Sequence, residues 1–257
     1  MNLVRIWAIA SNVFLEVVRE RILYLIGFFA IFMIAAWRLI PEVAATTEKK
    51  ILLDIGIAAI NILSVIVAVF VGTGLINKEI EKRTVLTLIA KPISRAEFIV
   101  GKHLGLSGVL TVLVIAMTTI YFVMLNISQI AYPPGAILVA ILYLLIELSL
   151  LTAAALLFGV FTSSILATFL TFAVYLMGHL SQDILKLGEI SKNPEFQRVT
   201  QVFYLVLPDL SRLNLKNEAV YGLLPNQFTL LGSATYGLFY TGLLLAIAVL
   251  IFSRREF

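Results

Sequence analysis

The sequence predicts an all-α integral membrane protein with six transmembrane helices, and three observations carry that prediction. Hydrophobic residues make up 61% of the 257-residue chain and charged residues 13%, where ordinary soluble domains run at about 45–50% and 25%. Mean hydropathy is +1.03. Six apolar segments reach the length of about 20 residues needed to cross about 30 Å of hydrocarbon, and the charge left over is gathered into the segments between them. The full architecture expected is an N-terminal amphipathic interfacial helix, six spans, a charged helical segment between spans two and three, and a long helical loop between spans five and six. No soluble domain, low-complexity tract or internal repeat interrupts the chain, so residues 1–257 form one membrane domain.

Residues 1–21 are not expected to be a signal peptide. The apolar run at 6–10 is too short for one and leads into Glu16, Arg19, Glu20 and Arg21 with no small-residue cleavage pattern. On a helical wheel Leu3, Ile6, Trp7, Ala10, Val13, Phe14 and Val17 share one face, opposite Arg5, Asn12, Glu16 and Arg19. Such a helix lies in the interface, with Trp7 at headgroup level. The spans then fall at 22–40, 51–76, 98–126, 134–161, 164–185 and 229–252, with almost no connection between the fourth and fifth at Thr162 and Ser163.

Between spans two and three lies the most charged part of the chain, holding Lys78, Lys82, Arg83, Lys91, Arg95 and Lys102. Ionised side chains at a bilayer centre cost about 2.5 kcal/mol or more each, which puts this bridge in water. A short helix over 77–90 carries the acid-before-base pair Glu79 and Arg83. Lys91-Pro92 ends it. Ser94-Arg95-Ala96-Glu97 then reads as a capping box for the third span. Val85, Leu86 and Ile89 leave the short helix more apolar than a solvated loop requires, as a docking helix would be.

The loop at 186–228 is long for a bundle connection, most of which run about 2–8 residues. Asn193-Pro194 marks a helix start, Pro208 its end, and residues 217–222 a second short helix. Phe196, Val199, Phe203 and Val206 share one face of the first helix. Burying one such side chain is worth about 1.5–3 kcal/mol, so that face is expected to pack on the bundle or on lipid.

An even number of spans puts both termini on one side. Eleven of the nineteen Lys and Arg residues fall on that side, counted from Arg5 to Arg255, and the positive-inside rule then places the termini and the bridge in the cytoplasm and the 186–228 loop outside. The same rule accounts for the net charge of +4 without invoking nucleic acid. With no cysteine, disulfides, thiolate metal sites and cysteine nucleophiles are excluded.

Taken together, the amphipathic N-terminal helix, the six spans, the bridge GTGLINKEIEKRTVLTLIAKPISRAEFIVGKHLG, the minimal turn between spans four and five and the helical loop before span six resemble the permease subunit of an ABC transporter of the type 2 exporter family. The similarity covers essentially the whole chain and is closest to the permeases of nitrous oxide reductase maturation and of gliding motility. Its most specific part is carried by Glu79, Glu81, Arg83, Thr84, Lys91, Pro92, Ser94, Arg95, Glu97, Gly101 and Lys102.

The resemblance implies a homodimeric cell-membrane exporter in which two such chains work with two separate ATPase subunits. The bridge region 77–97 is then a coupling helix seated on the ATPase, with Glu79, Glu81, Arg83, Thr84, Lys91, Pro92 and Arg95 as its coupling residues. ATP and magnesium are bound by that partner, and no cofactor or metal by this chain. The sequence itself has no Gly-x-x-x-x-Gly-Lys-Ser/Thr loop to hold phosphate.

Other residues stand out on their own chemistry. Glu147 sits near the middle of the fourth span, where an acidic group marks a functional site by default. His179 and Asp183 are one turn apart on the fifth and suit a metal or proton relay, although hydrogen bonding near the outer end of the bundle is the plainer reading. All three are candidates for the translocation path. Phe196, Val199, Phe203 and Val206 are candidates for an outer lid. His103 reads as a headgroup contact, and Gly101-x-x-x-Gly105 as a site of close helix packing. No catalytic constellation is present, so this is not expected to be an enzyme. The competing readings are a non-transporting membrane assembly or channel subunit and, more remotely, an intramembrane enzyme using Glu147, His179 and Asp183.

Overall fold

The computed structural model describes residues 2–43, 48–81, 94–191 and 193–254, and these are almost entirely helical, with no strand among them. The first helix, α1 (Leu3–Val17), is capped by the Asn2 side chain, which accepts a hydrogen bond from the Val4 amide. It continues without a break through a π-helical turn at Val18–Ile22 into α2 (Leu23–Val43). The interfacial helix expected at the N-terminus is therefore the first stretch of the same rod that forms the first span. Its apolar face divides: Ile6, Ala10, Val13 and Val17 are buried, whereas Leu3 and Trp7 stay exposed.

Helix α3 (Glu48–Glu81) overruns the expected end of span two. Asn77 does not start a new helix. It is buried, and its side-chain amide donates to the Thr73 carbonyl one turn back. The first residues of the expected 77–90 helix are thus a straight extension of span two, and its remaining residues lie outside the described ones.

Four further long helices follow as the apolar runs require: α4 (Arg95–Ile127), α5 (Pro134–Phe161), α6 (Ser164–Ile190) and, after the loop, α9 (Gln227–Arg254). Among the described residues, six helices are long and apolar enough to cross a membrane. The capping box at the start of α4 is complete: Ser94 Oγ accepts from the Glu97 amide and the Glu97 carboxylate accepts from the Ser94 amide. Between α5 and α6 the chain turns at Thr162 and Ser163.

Helix α5 is the most enclosed element, with Leu150, Leu151, Ala153, Ala155 and Leu156 fully buried among α3, α4, α6 and α9. Glycine permits one close approach inside this core. A Cβ at Gly56 would lie 2.2 Å from the Tyr121 ring, and Tyr121 uses that space to donate its hydroxyl to the Leu53 carbonyl at 2.9 Å. Phe28, Ile31, Phe169 and Phe239 are exposed around the outside, as a lipid-facing belt requires.

The 186–228 loop contains α7 (Pro194–Val206), a 3₁₀ turn (Leu210–Leu213) and α8 (Lys216–Tyr221). Its second half belongs to the core. Leu210, Leu213, Leu215, Ala219 and Val220 are buried, Leu210 over Gly178 of α6 and Leu213 over Gly237 of α9. Helix α7 lies outside this plug and buries Thr200 against Gly188. Phe196, Val199, Phe203 and Val206 are 45 to 66% exposed, so their face does not pack on this chain's own bundle.

Candidate functional site

The start of α1 and the end of α9 meet at the start of α4. Arg95 reaches along the bundle and donates to the Phe252 carbonyl at 2.8 Å and to the Ser253 carbonyl, near the end of α9, and Phe98 stacks on Phe252 with ring centroids 5.5 Å apart. Glu97 serves two helices. Besides capping α4, it accepts from the Asn2 amide at 2.6 Å and lies 3.9 Å from the Arg5 guanidinium. Helix α1 then runs along α4 over three glycines, Ile6 and Ile9 against Gly101, Ala10 and Val13 against Gly105, and Phe14 against Gly108. Ascending positions on one helix meet ascending positions on the other, so the two lie side by side in the same sense.

Lys102 departs from the expectation that the bridge charges lie in water. It is 3% exposed, donates to the Leu75 carbonyl at 3.1 Å and to Glu79 at 2.5 Å, and lies over the Phe98 ring. A buried ammonium needs such partners to offset its desolvation. Glu79, expected to pair along its own helix with Arg83, thus ties the end of α3 to α4. Of the other coupling residues, Glu81 closes α3 and Arg95 opens α4, whereas Arg83, Thr84, Lys91 and Pro92 lie outside the described residues. His103 is not a headgroup contact. It is buried, with Nε2 3.0 Å from the Ser149 carbonyl oxygen on α5.

Inside the bundle, Glu147 of α5 is 1% exposed and hydrogen-bonded to His179 Nε2 of α6 at 2.9 Å. Tyr175, one turn below His179, meets the imidazole edge-on with centroids 4.7 Å apart and donates its hydroxyl to Asn61 Oδ1 of α3 at 2.9 Å. Three helices therefore share one polar cluster. Asp183 is not part of it: this residue is exposed at the loop end of α6 and sits 3.7 Å from Lys186. The one-turn spacing of His179 and Asp183 suggested joint chemistry that the fold does not assemble, and no group of three or more His, Asp or Glu side chains suited to a metal occurs among the described residues.

The pairing of Glu147 with His179 did carry a sequence signal. Glu147 lies about 15 residues before the Thr162–Ser163 turn and His179 about 16 after it, and helices joined by so short a connection run antiparallel. Asp209 carried none, reading only as a turn residue. It is 2% exposed and accepts from Ser181 and Gln182 of α6 at 3.0 and 3.1 Å, from Arg212 at 2.9 Å and from Ser211. Its own amide donates to the Tyr236 hydroxyl of α9 at 2.8 Å. Burial acts against ionisation of Asp209, but the hydrogen bonds from Ser211, Gln182, Arg212 and Ser181 outweigh it and hold the carboxyl below the usual range. Arg212 also donates to Tyr204 of α7, and Tyr240 of α9 to the Val206 carbonyl, which fastens α7 both to the 3₁₀ turn and to α9.

Comparison with known proteins agrees with this architecture. No curated protein matches the chain, but the family model described as ABC-2 family transporter protein matches residues 7–257. That span takes in most of α1, all six long helices and the loop. The chain therefore belongs to the ABC-2 transporter family and is a multi-pass membrane permease, the transport component of an ABC transporter rather than its catalytic subunit.

Proposed function

We propose that the chain is one half of an ATP-driven exporter, working as a homodimer with two separate ATPase subunits that bind ATP and magnesium, and with both termini in the cytoplasm. The observation that carries this reading is the clamp at the end of α3. That helix runs unbroken to Glu81, and the Glu79–Lys102 bridge locks its last turns to α4. A push delivered to residues 77–97 by an ATPase would then move two spans together, because rigid helices joined by a partly buried ion pair do not yield one at a time. Glu81, Arg83, Thr84, Lys91, Pro92 and Arg95 complete the coupling region in this reading.

Glu147 and His179, with Tyr175 and Asn61, are the polar part of the translocation path, and Asp183 lies towards its outer mouth. The loop closes that mouth, the plug from inside and Phe196, Val199, Phe203 and Val206 as a lid whose exposed face meets lipid or the second copy. The homodimer reading is supported by an open apolar groove between α3 and α6, lined by Phe70, Ile165, Phe169 and Leu176 with the hydroxyls of Ser164 and Thr168 among them. Small and hydroxylated residues allow close helix approach where lipid supplies no hydrophobic drive.

Arg83→Glu tests the coupling assignment, with Glu79 left intact because it also holds Lys102. At least a tenfold loss of ATPase co-purification is expected from a permease that still folds, and full retention overturns the assignment. Single cysteines in place of Ile165 and Phe169 test the dimer in a chain that has none of its own. Crosslinking between copies is expected at one or both, and its absence at both removes α6 from the interface.

A further inference from the structure

Helix α6 has the polarity of a soluble helix turned inside out. Ile165, Phe169, Leu176 and Leu180 are exposed on its outer side, whereas Ser164, Thr168, Thr171, Tyr175, His179 and Gln182 recur every three or four residues along the other. At a rise of 1.5 Å per residue these six polar side chains extend over about 27 Å, most of the hydrocarbon a span crosses. The stripe finds polar partners on other elements along its length. Thr168 Oγ lies 2.9 Å from Thr73 Oγ of α3, Tyr175 donates to Asn61 Oδ1 of α3, and His179 Nε2 meets Glu147 of α5. Gln182, with Ser181 beside it, donates to Asp209 of the plug. Apolar packing on this face is thin: apart from Val174 its buried positions are Ala167, Thr171, Gly178, Ser181 and Gly188. Hydrogen bonds rather than bulky side chains hold α6 to its neighbours.

Two donors in this seam are left over. Asn61 Nδ2 and Ser64 Oγ belong to residues 1% and 0% exposed and have no hydrogen-bond partner among the described residues. Asn61 enters the seam through Tyr175. Gly72 of α3 packs on Ala155 of α5 and Ile76 on Gly159, so the two helices run in the same sense, and about two turns back from the first pair Ser64 stands level with Glu147. Polar side chains that only join helices in lipid pair off with one another. A buried donor left unpaired costs free energy in the closed state, and a hydrogen-bonding molecule entering the seam removes that cost. We propose that the seam between α6 and the α3–α5 pair is a translocation lane inside each copy, and that its cargo is a small uncharged solute rich in hydrogen-bond acceptors. This rests on the exporter reading and names its path and substrate class. When α6 parts from α3, hydroxyl, amide and imidazole groups are uncovered along the stripe while the apolar side of the helix stays outward. Charge decides the class. Over residues 61–77 of α3, 147–161 of α5 and 164–182 of α6, Glu147 is the only Asp, Glu, Lys or Arg, and it is bonded to His179. An anion meets no fixed cation there, and a lipid-like body meets polar walls.

The test uses the permease assembled with its ATPase in lipid nanodiscs, and single cysteines in a chain that has none of its own. Ser64→Cys and Thr171→Cys, both close in size to the native residue, put thiols in the seam. Phe169→Cys puts one in the groove between α3 and α6 where two copies would meet, and Asn217→Cys, on the exposed side of α8, is the reference. Labelling by neutral methyl methanethiosulfonate is followed with and without ATP, each rate divided by that of the reference. ATP is expected to raise the ratio at least tenfold at one seam position or both, and the anionic sulfonatoethyl reagent is expected to stay at least tenfold slower there. Acceleration at Phe169→Cys with none in the seam overturns the lane and leaves the exporter standing, its path running between copies. Acceleration at no position overturns the lane and the exporter reading together. Equal rates for the neutral and anionic reagents in the seam overturn the substrate class.

Discussion

The two ends of the bundle solve the same problem with opposite materials. At the end where α1 begins and α9 finishes, long helices overrun one another and charged side chains fasten them through main-chain groups: Arg95 on the carbonyls of α9, Lys102 on Leu75, Glu97 on the Asn2 amide. At the other end the elements are short, the 3₁₀ turn and α8 having four and six residues, and one carboxylate, Asp209, gathers them. A joint spread over several helix ends tolerates the loss of any one tie and still transmits a push along the axis. A joint concentrated in one side chain holds a closed arrangement and lets go all at once, as a gate must.

The sharpest way to break this comparison is Asp209→Ala. Removing the acceptor strands the buried Ser181 hydroxyl and the Gln182 amide and frees the half-exposed Arg212, and leaving buried partners unsatisfied costs about 1–3 kcal/mol. A large fall in the thermal midpoint of the purified chain is expected, with proteolysis beginning in the 186–228 loop, and Asp209→Asn should restore part of it. Because the native carboxyl ionises more readily than its unfolded form near pH 3.9, the stabilisation is complete above that pH and is lost as pH falls through the lower native value. Loop protection should therefore be flat between about pH 5 and 8 as far as Asp209 is concerned.

A matched pair of glycine substitutions probes each end with the same added methyl group. At Gly178 it would lie 2.7 Å from the Leu210 side chain and 2.8 Å from the Pro208 carbonyl, and at Gly105 2.7 Å from the Ala10 carbonyl. Each overpacks against main chain, at about 1–3 kcal/mol. Gly178→Ala is expected to increase hydrogen exchange throughout residues 208–222, whereas Gly105→Ala should loosen only α1. If both changes spread equally far, the contrast between the ends is wrong.

The smallest effect is expected from Arg95→Ala, which removes one tie among several at the end where α1 begins and α9 finishes. A loss of about 1 kcal/mol and faster exchange confined to the last turn of α9 would fit, while unfolding of α1 as well would show that the ties there are not independent.

The spans were legible because hydrocarbon thickness sets a length that side-chain polarity reveals, and the caps at Ser94 and Asn193 because their chemistry is local. What remained hidden was set by partners distant in sequence. Lys102 counted as a solvated charge until α3 brought Glu79 to it, 23 residues away. Asp209 looked like any aspartate after a proline, since Ser181 and Gln182 lie a whole loop earlier. The amphipathic pattern of α7 drew attention to Phe196, Val199, Phe203 and Val206, while the residues that enter the core, from Leu210 to Val220, fall in elements too short to show periodicity.

The π-helical turn at Val18–Ile22 has a consequence for how such a chain can change length. The buried positions run Ile6, Ala10, Val13, Val17, then step five residues to Ile22 and on to Phe29 and Met33. The π turn takes up one residue more than a regular α-helical turn would, and so keeps one stripe in phase across the joint between the two parts of the rod. Deleting a single residue between 18 and 22 would leave a regular α-helical step from Val17 to the next buried position, with Phe29 and Met33 still facing the core, whereas a deletion within α1 or α2 would turn everything beyond it by about 100°. The joint is therefore a place where this rod can give up a residue and keep its register, so a change of length is tolerated better here than in the helices on either side.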